Sequence, residues 1–275
     1  MKHLNHGNTA RNVLIFAGSD PSCGAGLQAD VLATASLGAH PLSIVTTLTV
    51  QDHNRVYQAH PVTPTLVRAQ AEVLIRSTSI HAVKIGALGS AANAQCVLEL
   101  LQYLRIAQPN LPIILDPVLA SGHGDALAQD NMVAALQPFY RWISVITPNL
   151  LEARKLSGLP HKDQQADWFI DQGVPYVLIK GGHGRSKKYV TNTGLAHDGS
   201  LQQWRWPKLS GEFHGSGCTL ASAIAAYLAH GLKAHDAMAQ AQIYCQKTLS
   251  QSYAIGDGQR IPDRMAAIRS PNNLY

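Results

Sequence analysis

An α/β fold, with a mainly parallel sheet covered by helices on both faces, is predicted by three features of this sequence. Short apolar runs of buried-strand length alternate with helix-like segments for most of the chain, the order that builds a parallel sheet. Glycine-rich or carboxylate-bearing loops follow several of those runs, where open α/β sheets keep their ligands. Between Lys187 and Pro207 the pattern changes to polar–apolar alternation around Gly194 and Asp198-Gly199, which predicts antiparallel hairpins at a sheet edge.

Taken in order, Val13–Ala17 reads as a buried strand, then a Gly-rich turn and a helix from about Ala25 to Leu37. Leu42–Thr46 is the next strand; Thr63 as N-cap with Pro64 at the first helical position opens a helix to about Ile75. Ala82–Ile85 is a strand, Ala91–Leu104 a helix and Ile113–Leu115 a short strand. A helix at about Gln129–Gln137 precedes a strand at Ile143–Thr147 and a helix from Leu150 that stops near Gly158. Tyr176–Lys180 is a further strand, and helices close the chain at Cys218–His230, capped by Gly231, and about His235–Gln251. No repeat or Pro/Ser linker interrupts residues 1–275, so one domain is expected, with residues 1–10 and about 266–275 as loosely held ends.

With 46% hydrophobic and 14% charged residues, the chain has the composition of a folded protein rather than a disordered one. The net charge of +5 suits anionic small molecules, but no run of four Lys/Arg occurs, which excludes a nucleic-acid partner. Cys23, Cys96, Cys218 and Cys245 form no CxxC pair, arguing against a disulfide framework or a zinc ribbon. The apolar stretch Val13–Ala17 is too short for a signal peptide, and nothing approaches the ~18 apolar residues of a membrane span. A soluble, cytoplasmic protein with no membrane partner is expected.

Two glycine loops can carry chemistry. Gly18-Ser19-Asp20-Pro21-Ser22-Cys23-Gly24-Ala25-Gly26 is neither a dinucleotide fingerprint nor a Walker A loop; it reads as a ligand loop at a helix N-terminus or as a structural turn. His214-Gly215-Ser216-Gly217-Cys218-Thr219-Leu220 opens an Ala-rich helix. There a nest of N–H donors and about half a positive charge from the helix would stabilise an anion and lower the Cys218 thiol. Equally, Cys218 could be a small packing residue and the glycines mere turn-formers.

Asp116-Pro117-Val118 ends one strand, and Thr147-Pro148-Asn149-Leu150-Leu151-Glu152 ends another. Asn149 and Glu152 share a helix face: as hard oxygen donors they suit Mg²⁺ held through water beside phosphate, and as N-cap and third helical residue they form a capping pair. Lys180-Gly181-Gly182-His183 offers a lysine that could meet phosphate as a point charge or sit in solvent. No GxSxG elbow and, among thirteen histidines, no HExxH motif is present.

In this order, Ala17-Gly18-Ser19-Asp20-Pro21-Ser22-x-Gly24-Ala25-Gly26-x-Gln28-Ala29-Asp30, Lys84-Ile85-Gly86, Leu115-Asp116-Pro117-Val118, Thr147-Pro148-Asn149-x-x-Glu152, Lys180-Gly181-Gly182-His183 and His214–Leu220 resemble the hydroxymethylpyrimidine/phosphomethylpyrimidine kinases of thiamine biosynthesis, within the ribokinase-like superfamily. The resemblance spans roughly residues 12–265 and implies a three-layer α/β/α fold with a small antiparallel edge. It also implies ATP- and Mg²⁺-dependent phosphorylation of 4-amino-5-hydroxymethyl-2-methylpyrimidine and then of its monophosphate, in a homodimer.

On that resemblance Gly215, Ser216 and Gly217 are the anion hole, and Cys218 stands where sugar kinases have a catalytic aspartate. Gln51, Asp30 and Gly18 match pyrimidine-pocket positions, Lys180, Asn149 and Asp116 lie on the nucleotide side, and Glu152 with Asn149 matches the Mg²⁺/phosphate motif. A carboxamide at Gln51 can donate to a ring nitrogen while accepting from the exocyclic amine. Cys23, where the family has glycine, Ala87, where it often has methionine, and Gln242, where many members have lysine, depart from the pattern. Pyridoxal kinase is the nearest alternative, and a non-catalytic pyrimidine-binding protein the alternative from another class.

Overall fold

The computed structural model describes residues 10–128, 130–182, 184 and 186–266. The expected loose ends, apart from Ala10 and Ala266, lie outside the described residues, as do His183 of the lysine loop and Gln129 at the start of one expected helix.

Nine strands form one sheet: β1 Asn12–Ser19, β2 His40–Gln51, β3 Val56–Pro61, β4 Ala82–Ile85, β5 Ile113–Leu115, β6 Val145–Ile146, β7 Tyr176–Ile179, β8 Tyr189–Ala196 and β9 Leu201–Pro207. Their order across the sheet is β3-β2-β1-β4-β5-β6-β7-β8-β9. Strands β2, β1, β4, β5, β6 and β7 run parallel; β3 pairs antiparallel at one edge, and at the other β8 runs antiparallel to both β7 and β9. The expected antiparallel edge is therefore matched by a second one on the opposite side.

The helices are α1 Gly26–Ser36, α2 Pro64–Ser77, α3 Ala91–Ala107, α4 Met132–Leu136, α5 Leu150–Ser157, α6 Lys162–Asp171, α7 Ser216–Ala229 and α8 Ala234–Ser250. Alternate residues of β1 feed two separate cores. Leu14 and Phe16 pack into a layer with side chains of α2 to α6, whereas Val13, Ile15 and Ala17 face α1, α7 and α8. Both faces are buried, which is why the strand reads as an unbroken apolar run; Val13, Leu14, Ile15 and Phe16 each contribute roughly 1.5–3 kcal/mol.

Several elements differ from expectation. Strand β2 runs on to Gln51 and pairs with β3, an element whose half-polar sequence gave no strand signal. The helix expected at 129–137 is only Met132–Leu136 followed by a 3₁₀ turn, since Pro138 cannot supply an N–H inside a helix. The expected strand 143–147 shrinks to Val145–Ile146. Thr63 is the N-cap of α2, but its side chain makes no capping bond.

The order in which strands are added reverses at β1, which has β2 on one side and β4 on the other. The crevice at such a switch point opens at the carboxyl ends of the strands. The loops after β1, β4, β5, β6 and β7 and the N-terminus of α7 therefore converge there.

Candidate active site

The loop after β1 is held from within. Asp20 is fully buried; its carboxylate accepts from the Ser22 amide (2.8 Å) and hydroxyl (2.8 Å), the Ala25 amide (2.7 Å) and His214 Nε2 (2.8 Å). Burial raises its pKa, but these bonds outweigh it and hold the carboxyl below its ordinary range. The Gln28 carboxamide accepts from the Asp20 amide (2.9 Å) and donates to Ser19 Oγ (2.9 Å). The amides at Ser22 and Ala25 are thus already spent inside the loop, and Gly18 is buried beside Thr47 and Ala87.

The turn before α7 is different. Gly215 has φ of +82°, and a Cβ there would stand 2.0 Å from the Gly24 carbonyl oxygen. Only glycine fits this contact between the two loops. The Gly215 carbonyl turns back to accept from the Thr219 amide (3.0 Å) and hydroxyl (2.8 Å). The amides of Gly215, Ser216, Gly217 and Cys218 have no acceptor among the described residues. They are the open donors of a helix N-terminus.

Beside them lies a buried charge cluster. The Lys180 ammonium donates to Asp116 Oδ1 (2.7 Å), which also accepts from Thr147 Oγ1 (3.2 Å), and stands 3.9 Å from Glu152 Oε2. A Cβ on Gly217 would be 3.1 Å from Lys180 Nζ and 3.6 Å from Asp116 Oδ2, so this cluster abuts the open amides. Burial lowers the Lys180 pKa, but Asp116 and Glu152 more than reverse that and raise it. Burial pushes the Glu152 carboxyl up to about 7 against the pull of Lys180, and Asp116 adds to the rise. Lys180 is a paired cation, not the solvated lysine the sequence left open.

Cys218 occupies the first turn of α7, partly exposed. Burial of its sulfur pushes the thiol up to about 11; Lys84 and the Gly26 amide pull down, while Asp30 and Asp116 push further up. The expected lowering of this thiol is therefore corrected: lost hydration outweighs the pull of Lys84 and the Gly26 amide. Beneath it, Lys84 and Asp30 form a fully buried pair at 2.6 Å, with Ser222 Oγ on the other Asp30 oxygen at 2.8 Å. Asp30 is thus part of the floor, and reaching a substrate would mean giving up one of these bonds.

Asn149 and Glu152 form a complete capping box. The Asn149 carboxamide oxygen accepts from the Leu151 and Glu152 amides (both 2.9 Å), and Glu152 Oε2 accepts from the Asn149 amide (2.7 Å). The expectation that Asn149 ligates a metal is corrected: both lone pairs of its oxygen are committed, so it positions Glu152 instead. Glu152 Oε1 and Asp116 Oδ2 make no protein hydrogen bond among the described residues. No group of three or more His, Cys, Asp or Glu able to hold a metal occurs among the described residues. Two free carboxylate oxygens do fit Mg²⁺, which keeps several waters and shares phosphate oxygens rather than needing a protein cage.

Gln51 ends β2, half-buried, its carboxamide without a protein partner among the described residues. The β2–β3 hairpin carries it past the β1 loop, where Thr49 Oγ1 donates to the Ser19 carbonyl (2.8 Å). The hairpin tip is fastened on two sides. Arg55 grips Asp125 through Nε (3.0 Å) and the terminal nitrogen (2.6 Å), and Asn54 donates to the Asp257 carbonyl (2.8 Å) and accepts from the Gln259 amide (2.8 Å). The site is an open cleft under this flap. Two cavities lie elsewhere: about 420 Å³ at the amino ends of the strands, beside Ile80 and Pro112, and about 190 Å³ beside Trp204.

Of the departures, Cys23 adopts φ of +59°, a conformation suited to the glycine it replaces. Gln242 is buried: its Oε1 accepts from Asn192 (2.8 Å) and Trp206 (3.1 Å), so it serves the β8–β9–α8 packing. Arg264, which no motif announced, is 2% exposed and donates to Thr219 Oγ1 (2.9 Å), the Gly24 carbonyl (2.5 Å) and the Gly215 carbonyl (3.4 Å).

The profile of the phosphomethylpyrimidine kinase family matches residues 20–263. A hydroxymethylpyrimidine/phosphomethylpyrimidine kinase of Mycobacterium tuberculosis (strain H37Rv) is 35% identical over 260 residues, covering 92% of this chain and 93% of that protein. Among solved structures, the pyridoxal kinase of Staphylococcus aureus in complex with AMP-PCP and pyridoxal superposes with a TM-score of 0.84 at 26% identity, covering 95% and 96% of the two chains. A phosphomethylpyrimidine kinase of Clostridium difficile does so with a TM-score of 0.73 at 26% identity, covering 86% and 99%.

Proposed function

The chain belongs to the phosphomethylpyrimidine kinase family, and from that premise we propose how its residues phosphorylate 4-amino-5-hydroxymethyl-2-methylpyrimidine and then the monophosphate, with ATP as donor, in thiamine biosynthesis. It is a kinase with a ribokinase-like fold. One observation carries the residue assignment: four consecutive amides, Gly215 to Cys218, lack acceptors beside Lys180, Asp116 and a cysteine.

Phosphoryl transfer needs little covalent help from the protein; positioning and charge neutralisation supply most of the rate. The amides of Gly215, Ser216, Gly217 and Cys218 receive the transferring group. Lys180 counters the nucleotide's charge while Asp116 orients its ammonium. Mg²⁺, when bound, neutralises phosphate oxygens, and Glu152 Oε1 with Asp116 Oδ2 would hold it through water. Cys218, once deprotonated, takes the hydroxymethyl proton. Gln51 reads the pyrimidine edge from the flap and Gly18 lets the ring lie against the β1 loop. Asp30, with Lys84, sets the charge under Cys218. One kinase domain, a cytoplasmic homodimer, completes the reading; light scattering of the purified chain tests the dimer.

Pyridoxal is the competitor, because pyridoxal kinases share the scaffold. ADP release measured side by side with the hydroxymethylpyrimidine, its monophosphate and pyridoxal decides. The expected order places the two pyrimidines first; faster turnover of pyridoxal would overturn the assignment, and pyrimidine binding without ADP release would make the chain a binding protein.

A further inference from the structure

Arg264 stands behind the anion-binding turn rather than in it. The segment that carries it is docked on both sides: the Arg260 carbonyl accepts from the His214 amide (3.0 Å), and the Arg264 carbonyl accepts from the Tyr244 hydroxyl (3.0 Å). Its guanidinium reaches the Gly24 carbonyl, the Gly215 carbonyl and Thr219 Oγ1, one group from the β1 loop and two from the turn and first helical residues of α7. All three acceptors are neutral. No carboxylate among the described residues lies within ion-pair distance of it, and the Asp30 carboxylate is taken by Lys84 and Ser222.

Burying a guanidinium without a counter-charge is costly, and neutral side chains can hold loops together without that cost. A retained positive charge makes sense where negative charge arrives later. The geometry gives it that place. In a trans peptide the carbonyl and the next amide point opposite ways. Arg264 and Thr219 draw the Gly215 carbonyl backward, so the Ser216 amide points forward, away from the guanidinium.

We propose that Arg264 is a positioning residue for phosphoryl transfer. It clamps the two glycine loops from behind, keeps the amides of Gly215–Cys218 aimed at one point, and supplies a buried positive charge that is balanced only when an anion lies on them. This rests on the reading of those amides as the phosphoryl site.

Two measurements test it. Arg264→Lys keeps the charge but loses the fork, and Arg264→Met loses both. In folded variants kcat should fall roughly tenfold to a hundredfold, while KM for ATP and for the pyrimidine stays within about threefold. The second measurement is alkylation of Cys218 by iodoacetamide, read by peptide mass, with inorganic phosphate as protectant. Phosphate should shield Cys218 in the native chain, and half-protection should need about tenfold more phosphate in either variant. Near-native kcat or unchanged half-protection in a folded variant overturns the proposal. If neither variant folds, Thr219→Val, which at constant shape removes the Arg264 contact on the hydroxyl and that hydroxyl's own bond to the Gly215 carbonyl, must weaken phosphate protection several-fold; an unchanged value overturns it. Phosphate protection that persists in a native chain unable to phosphorylate the pyrimidine would sink the substrate assignment and leave the clamp standing.

Discussion

At Cys218 a raised thiol and a base role fit together only if the proton leaves before transfer. Burial holds the thiol at about 11, with Lys84 as the nearest counterweight and Asp30 and Asp116 opposing it. Turnover should therefore climb with pH above neutrality, as the thiolate fraction grows. Cys218→Ala should cost ~10²–10⁴ in kcat and flatten that climb; a mutant with native kcat or the same slope would remove the base role. Glu152 makes the opposite prediction for stability. Its carboxyl keeps a proton in the folded chain up to about 7, whereas the unfolded chain releases it near the ordinary value. Between those limits the native state binds more protons, so stability falls as pH rises. Denaturant midpoints of the ligand-free chain should drop from pH 5 to pH 8, and Glu152→Gln should make the drop shallower; an identical slope would refute the assignment. Cys23 sits at φ +59°, and its side chain has only a long Sγ contact to the Pro21 carbonyl (3.9 Å), so the side chain offsets little of the left-handed penalty. Cys23→Gly should raise stability by roughly 0.5–1 kcal/mol, the strain relieved less the entropy of a freer unfolded chain, and a lower unfolding midpoint would contradict it. At this scale the motif residues were legible because they lie next to one another in sequence. Arg264 was not, since its partners at Gly24, Gly215 and Thr219 are supplied only by the fold.

The turn between the β1 loop and α7 is an element with no spare volume. A methyl at Gly215 would strike the Gly24 carbonyl at 2.0 Å and the Ala25 Cα at 2.8 Å, with φ at +82°. Gly215→Ala should abolish detectable turnover and lower the unfolding midpoint by more than the ~1 kcal/mol of the φ penalty alone, because backbone must move; normal activity would mean the two loops separate freely. Parallel strands and the helices after them were readable from apolar periodicity and from caps such as Gly158, which ends α5 at φ +74°. Two elements were not. Strand β3 is an edge strand with no buried residue, and α6 (KDQQADWFID) carries too little apolar pattern to announce a helix. Their order comes from neighbours: β2 lends β3 its hydrogen bonds, and Ala166 and Phe169 of α6 seat in a core already built.

Across the whole molecule, residues from every third of the chain meet at one sheet end, which is why no single motif sufficed and their order along the sequence did. The three-layer plan was readable; the second antiparallel edge was not, and it is that edge which roofs the cleft. The roof is fastened by Arg55 on Asp125, with the Val56 amide on the same carboxylate at 2.9 Å. The Arg55 side chain is 58% exposed, so dissolved ions compete for it directly. If the flap serves the site as proposed, potassium chloride should act as a throttle on the catalytic cycle. Raising it from 50 to 500 mM, or making Arg55→Ala, should raise KM for the pyrimidine, and the two changes together should do no more than either alone. Independent, additive effects would show that the clasp and the salt act at different places. Shedding product and retaining substrate would then be opposing demands on one ionic hinge-pin, and the solution around the enzyme would help set the compromise.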